Sequence, residues 1–126
     1  MTSVVRNITF DVAPPYEPYE LAQFWGQVVG RSVDPAEDAP GDDEVGLDGE
    51  PNLLFIRVPE AKTLKNRVHL DIQPDTSRDE EVDRLTGLGA KVVDDQRRPD
   101  GKGWVVLADP AGNEFCVERS DAERAG

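Results

Sequence analysis

The chain has 126 residues, 37% of them hydrophobic and 32% charged, with a formal net charge of −12 at pH 7. That length suits one continuous core, and the acidic balance argues against nucleic acid or an anionic membrane as partner, since both need a cationic face. The single cysteine, Cys116, excludes an internal disulfide framework and points to a reducing, cytoplasmic setting.

The opening MTSVVRNITF has no basic head ahead of a long apolar run, so no signal peptide is expected. No apolar stretch is long enough to cross a bilayer. Val4 to Val12 reads as a strand, with Ile8, Phe10 and Val12 on one face and Asn7, Thr9 and Asp11 on the other. A proline-rich turn follows. Tyr19 to Val29 has helical spacing, with Leu21, Phe24, Trp25, Val28 and Val29 on one side and Gly30 as a stop. Residues 34–52 are rich in Asp, Glu, Pro and Gly and read as short edge strands and loops. Asn52 to Val58 is apolar on both faces and reads as a buried strand.

Arg67 to Gln73 reads as a further strand. Val68, Leu70 and Ile72 form its apolar face, and His69, Asp71 and Gln73 its polar face. Ser77 is a cap for a helix running to about Leu88, with Glu80 three residues on. Lys91 to Asp94 is a short strand and Arg97 to Gly103 a charged turn. Trp104 to Ala108 is a strand, joined through DPAGN (109–113) to Glu114–Glu118. Ser120 to Gly126 reads as a frayed tail.

The element order repeats: strand, helix, strands, twice over. NITFDVAP at 7–14 matches RVHLDIQP at 67–74, aligning Asp11 with Asp71 and Pro14 with Pro74. A duplicated module of about sixty residues follows from this order.

Three segments carry a family likeness: LAQFWGQVVGR (21–31), KNRVHLDIQP (65–74) and VVLADPAGNEFCVE (105–118). In them the chain resembles the vicinal oxygen chelate superfamily, and within it the glyoxalase-like and bleomycin-resistance-like proteins. The resemblance implies an α+β fold of two βαβββ modules, about 4–60 and 66–119. A curved mixed sheet would surround a ligand cup, with helices outside. It also implies a homodimer, and in many members a divalent metal held by His, Glu or Gln.

Carried over residue by residue, the resemblance puts a metal-ligand histidine at His69. The first-strand counterpart is Asn7 by the family motif, or Thr9 by the internal repeat. The fourth-strand counterpart is Phe55 or Ile56, neither of which binds a metal. The last-strand glutamate position holds Cys116. A His69–Cys116 pair needs a third ligand from Asp71, Glu114 or Glu118 to resemble a catalytic zinc site. No cofactor is therefore assigned, and a divalent metal stays open.

The residues expected to line the cup are Asn7, Thr9, Phe55, His69, Asp71, Trp104 and Cys116. Strand parity supports Cys116 there if Phe115 and Val117 face the helices; its other role is that of a small buried hydrophobe. His69 is the best candidate for a general acid or base. The leading functional expectation is a domain that binds a small organic molecule in the cup. The alternatives are a metal-dependent lyase, isomerase or dioxygenase using His69, and a structural homodimer whose cup is vestigial.

Overall fold

The alternation in NITFDV becomes strand β1 (Asn7–Val12), with Val12 buried, Ile8 and Phe10 half-buried, and Asn7, Thr9 and Asp11 exposed. The computed structural model describes residues 1–126, which form two compact units, Met1–Thr63 and Leu64–Gly126.

In the first unit, helix α1 (Pro18–Val29) starts on a proline, whose missing N–H costs nothing in the first turn. It stops at Gly30, which has φ +71 and whose N–H bonds back to the Gly26 carbonyl. Leu21, Ala22, Phe24, Trp25 and Val28 form its buried face. Strand β2 (Glu44–Leu47) and strand β3 (Asn52–Arg57) complete a sheet of order β1-β3-β2. β3 runs parallel to β1 and antiparallel to β2. An aromatic cluster joins helix to sheet. Phe10 stacks on Phe55 at 5.0 Å between ring centroids and meets Trp25 at 5.1 Å.

This places Phe55 in the core, fully buried, and corrects its expected position in a ligand cup. The register pairs Phe10 with Phe55, so the residues that stand beside Asn7, Thr9 and Asp11 on the open face are Asn52, Leu54 and Ile56. The first unit also lacks the expected fourth strand. Residues 34–43, DPAEDAPGDD, form turns closed by Asp34 and Asp42 side chains, because they offer no β-forming residue to a ladder.

The second unit contains strand β4 (Leu70–Ile72), helix α2 (Arg78–Gly87), strands β5 (Lys91–Asp95), β6 (Val105–Ala108) and β7 (Glu114–Val117), and helix α3 (Asp121–Ala125). Its sheet order is β4-β7-β6-β5, with β4 parallel to β7 and the other pairs antiparallel. Val82 and Leu85 of α2 are buried, as are Val105, Leu107, Phe115 and Val117 of the sheet.

The two units share a ladder register. Phe10↔Phe55, Asp11↔Ile56 and Val12↔Arg57 in the first unit become Leu70↔Phe115, Asp71↔Cys116 and Ile72↔Val117 in the second, each residue shifted by sixty. The internal repeat is therefore a repeat of strand pairing as well as of sequence.

Two expectations for the second unit change. The strand expected over Arg67–Gln73 keeps only Leu70–Ile72, and Val68 is 78% exposed. Its partner β7 has four residues where β3 has six, so the ladder is shorter. The expected frayed tail is helix α3, closed by a capping box between Ser120 and Glu123. Glu123 also accepts the Arg78 N–H at 2.7 Å, and so caps the start of α2. The Ser77 hydroxyl accepts the Glu80 N–H at 3.1 Å, as the sequence suggested.

Arg78 is buried and donates to the carbonyls of Gly101, Lys102 and Gly103, which holds the charged turn between β5 and β6. Within that turn Gly103 has φ +97, and a Cβ there would sit 2.0 Å from the Gln96 carbonyl oxygen. Arg97 bridges Asp95 at 2.6 Å and Asp79 at 3.1 Å.

Two predictions follow from the packing and the charge cluster. Phe55→Ala should cost about 3–5 kcal/mol in urea denaturation, as for other buried aromatic truncations. A loss below about 1 kcal/mol would mark Phe55 as a surface or cup residue instead. The Arg97 hydrogen bonds and charge hold the Asp95 carboxyl down from 3.8 to about 2. The folded chain thus takes up that proton less readily than the unfolded chain. The stabilisation is complete above about pH 4 and is lost as pH falls through about 2. The melting-temperature gap between wild type and Arg97→Gln should therefore narrow over that window. A gap that stays constant from pH 5 to pH 2 would refute the linkage.

Candidate functional site

The open face of the second sheet is set by what the core demands of β7. Phe115 and Val117 are fully buried, so Glu114, Cys116 and Glu118 alternate to the other side. The ladders then place Asp71 beside Cys116 on one flank and Val106 beside it on the other. His69 lies two residues before Asp71 and shares its side. Its Nε2 is 3.4 Å from Asp71 Oδ1.

One ligand atom each from His69, Asp71 and Cys116 lies within 4.8 Å of the others. His69 and Asp71 are exposed, while Cys116, at 8% exposure, forms the floor between them. Burial pushes the Cys116 thiol up from its ordinary value, and the nearby charges of Asp71 and Glu118 push the same way. Trp104, 40% exposed, stands at the start of β6 on the side of Val106 and Ala108 by strand alternation.

The approach to His69 is held by the DPAGN turn. Asp109 Oδ1 accepts the N–H groups of Ala111 and Asn113, each at 2.9 Å, and its Oδ2 accepts the Asn113 side-chain amide at 2.9 Å. Asn113 Oδ1 in turn accepts the Asn66 amide at 2.9 Å. The Asn66 backbone N–H bonds the Glu114 carboxylate at 3.1 Å. Asn66 thus ties the chain three residues before His69 to the hairpin that carries Cys116. Sequence reasoning marked the turn but missed Asn66. The signal was a polar residue able to donate from both backbone and side chain, just upstream of the β4 strand.

The first unit offers much less at the equivalent positions. Thr9 corresponds to His69, Asp11 to Asp71 and Ile56 to Cys116. Asn7 is exposed and its carboxamide oxygen accepts from Asn52 at 3.1 Å. Of the expected site residues, the structure brings His69, Asp71 and Cys116 together. It leaves Asn7 and Thr9 on the exposed side of β1 and sends Phe55 to the core.

A family profile described as "Glyoxalase-like domain" matches residues 7–118. The chain belongs to the glyoxalase-like domain family. Among solved structures, a glyoxalase/bleomycin resistance protein/dioxygenase family enzyme from Burkholderia phytofirmans PsJN has a TM-score of 0.67 at 17% identity, covering 91% of this chain and 97% of that one. A fosfomycin resistance protein from Listeria monocytogenes, complexed with Mn(II) and a dihydroxypropylphosphonic acid, has a TM-score of 0.67 at 17% identity, covering 98% and 95%. A lactoylglutathione lyase from Agrobacterium tumefaciens has a TM-score of 0.61 at 17% identity, covering 99% and 98%. No curated protein matches in sequence. At these identities the glyoxalase-like structures establish the fold, a mixed α+β arrangement with two small open sheets.

The divalent metal that such a fold implies can be tested against the donors present. His69, Asp71 and Cys116 supply imidazole, carboxylate and thiol, the three donor types zinc takes, in the number a catalytic zinc uses. The second unit's donors therefore fit a metal. Thr9 and Ile56 in the first unit do not.

The raised thiol gives a measurable consequence. At pH 7 native Cys116 should react with a disulfide reagent many times more slowly than in urea. Asp71→Asn removes one repelling charge and should raise the native rate severalfold. An unchanged rate in that variant would show that Asp71 does not act on the thiol.

Proposed function

We propose that this glyoxalase-like chain binds a small oxygen-bearing organic molecule on the open face of its second sheet. The supporting observation is the pairing of two surfaces on that face: the polar group of His69, Asp71 and Cys116, and the apolar strip of Trp104, Val106 and Ala108. Small-molecule sites commonly combine an apolar lining with a few placed polar groups. The indole of Trp104 offers a flat apolar surface, and His69 beside a carboxylate can donate to, or accept from, a ligand oxygen.

A second reading, a metal-dependent lyase, isomerase or dioxygenase, is favoured by the three-donor cluster. A divalent cation bound there would act as a Lewis acid on a ligand oxygen. The chain's own part would be to hold that oxygen near His69 and to keep water from one side with Trp104.

Trp104 fluorescence tests the binding reading, because the only other tryptophan, Trp25, is fully buried. Metal-free protein should be screened against small hydroxy acids, catechols and hydroxylated aromatics. A binder should raise the melting temperature and change Trp104 emission. Trp104→Ala should weaken it about fivefold, in line with the ~1 kcal/mol of a stacking contact. If every compound that raises the melting temperature leaves Trp104 emission and the Trp104→Ala affinity unchanged, the site lies elsewhere.

A further inference from the structure

We propose that His69, Asp71 and Cys116 form a zinc-selective site built from the second unit alone, with a thiolate as its defining ligand. The inference deepens the reading of this face as a binding surface and rests on it only for location.

The backbone fixes the three positions. Asp71 and Cys116 are direct partners across the parallel β4–β7 ladder. His69 lies just before β4, with its ring beside the Asp71 carboxylate. The Nε2–Oδ1 separation of 3.4 Å already matches the spacing of about 3.3–3.8 Å between donors that tetrahedral zinc bonds of 2.0–2.3 Å impose. The widest donor separation, within 4.8 Å, needs to close by only about 1 Å to reach that spacing. His69 and Asp71 have exposed side chains and can make that adjustment by rotation, while Cys116 stays as the floor.

The two glutamates that flank Cys116 on this face are engaged elsewhere. Glu114 accepts from Asn66, and Glu118 faces Arg124 at 3.6 Å. With three protein donors the fourth position is left for water or a ligand oxygen.

The donor chemistry sets the metal. Oxygen-rich sets suit manganese and magnesium, whereas a thiolate with an imidazole favours zinc. On binding, the Cys116 S–H bond breaks, the sulfur bonds the metal and the proton passes to buffer. The charges of Asp71 and Glu118 at Cys116 attract a cation, against the opposing positive charge of Lys65.

The test is a titration of the full-length, metal-free chain with cobalt(II) chloride, followed by zinc chloride. One equivalent of cobalt should produce a near-ultraviolet thiolate-to-cobalt charge-transfer band, and one equivalent of zinc should remove it. Manganese(II) at the same concentration should not. Cys116→Ser should abolish the band, with Cys116→Ala as a second variant if the first folds poorly. His69→Ala and Asp71→Asn should each lower zinc affinity at least tenfold, and Asn7→Ala should leave it unchanged.

Zinc should also slow iodoacetamide alkylation of Cys116 in the wild type. Absence of the band, its persistence without Cys116, or equal displacement by manganese would overturn the zinc site. A tenfold loss in Asn7→Ala would overturn its confinement to one unit. No organic molecule is present in this titration. Its failure therefore sinks the zinc site alone, and failure of the Trp104 screen sinks the ligand reading alone.

Discussion

The parallel pairing of β4 with β7 is the constraint on which the second unit's open face depends. A parallel ladder joins strands distant in sequence and fixes which residues stand side by side. Here it sets Asp71 against Cys116. The register is held by the apolar side, where Phe115 and Val117 are fully buried. A slip of one residue would turn those side chains to water, so the core enforces the register strongly. The same demand that buries Phe115 and Val117 turns Cys116 toward His69 and Asp71. The site chemistry is thus placed by hydrophobic packing on the other face.

A second device orients the one end the ladder leaves open. β4 is only three residues long, and His69 lies just before it. Asp109 satisfies three donors of the turn, a dense local set for one carboxylate. Asn113, ordered by that carboxylate, then holds Asn66. Charge-assisted bonds of this kind are stronger than neutral ones. The turn is accordingly a buttress for His69 as well as a hairpin connection. The shorter ladder is the other side of the same arrangement, since Asn66 bonds the Glu114 carboxylate and the Asn113 amide.

Much of this was legible in the chain itself. Helices α1 and α2 carry their stop and cap residues, Gly30 and Ser77, and their apolar faces repeat with helical spacing. The pairing of Asp11 with Asp71 across the repeat survives as equivalent ladder positions. What escaped was information that local patterns do not hold. NLLFIRV is apolar at nearly every position, so alternation alone left Phe55 and Ile56 open for the outward side. Only the partner strand decides it, by stacking Phe10 on Phe55. Helix α3 was missed for a different reason. A polar terminal segment has weak periodicity, and its stability comes from one capping box and from the bond Glu123 makes to α2. Asn66 was missed because its partners lie 47 and 48 residues away.

The divergence between the two units follows from where the core draws its line. Phe10, Val12 and Phe55 in the first unit, and Leu70, Ile72 and Phe115 in the second, occupy equivalent ladder places and are all apolar. Those positions hold the sheets against their helices and tolerate little change. Thr9 and Ile56 stand where His69 and Cys116 stand sixty residues on, on the face that packing does not govern. That face can change donors without cost to the fold, which is why a shared fold does not fix chemistry. Ile56 leaves the first unit with neither thiol nor imidazole beside Asp11. The donors are therefore concentrated in the second unit, where one carboxylate, one imidazole and one thiol meet at a single pair of strands.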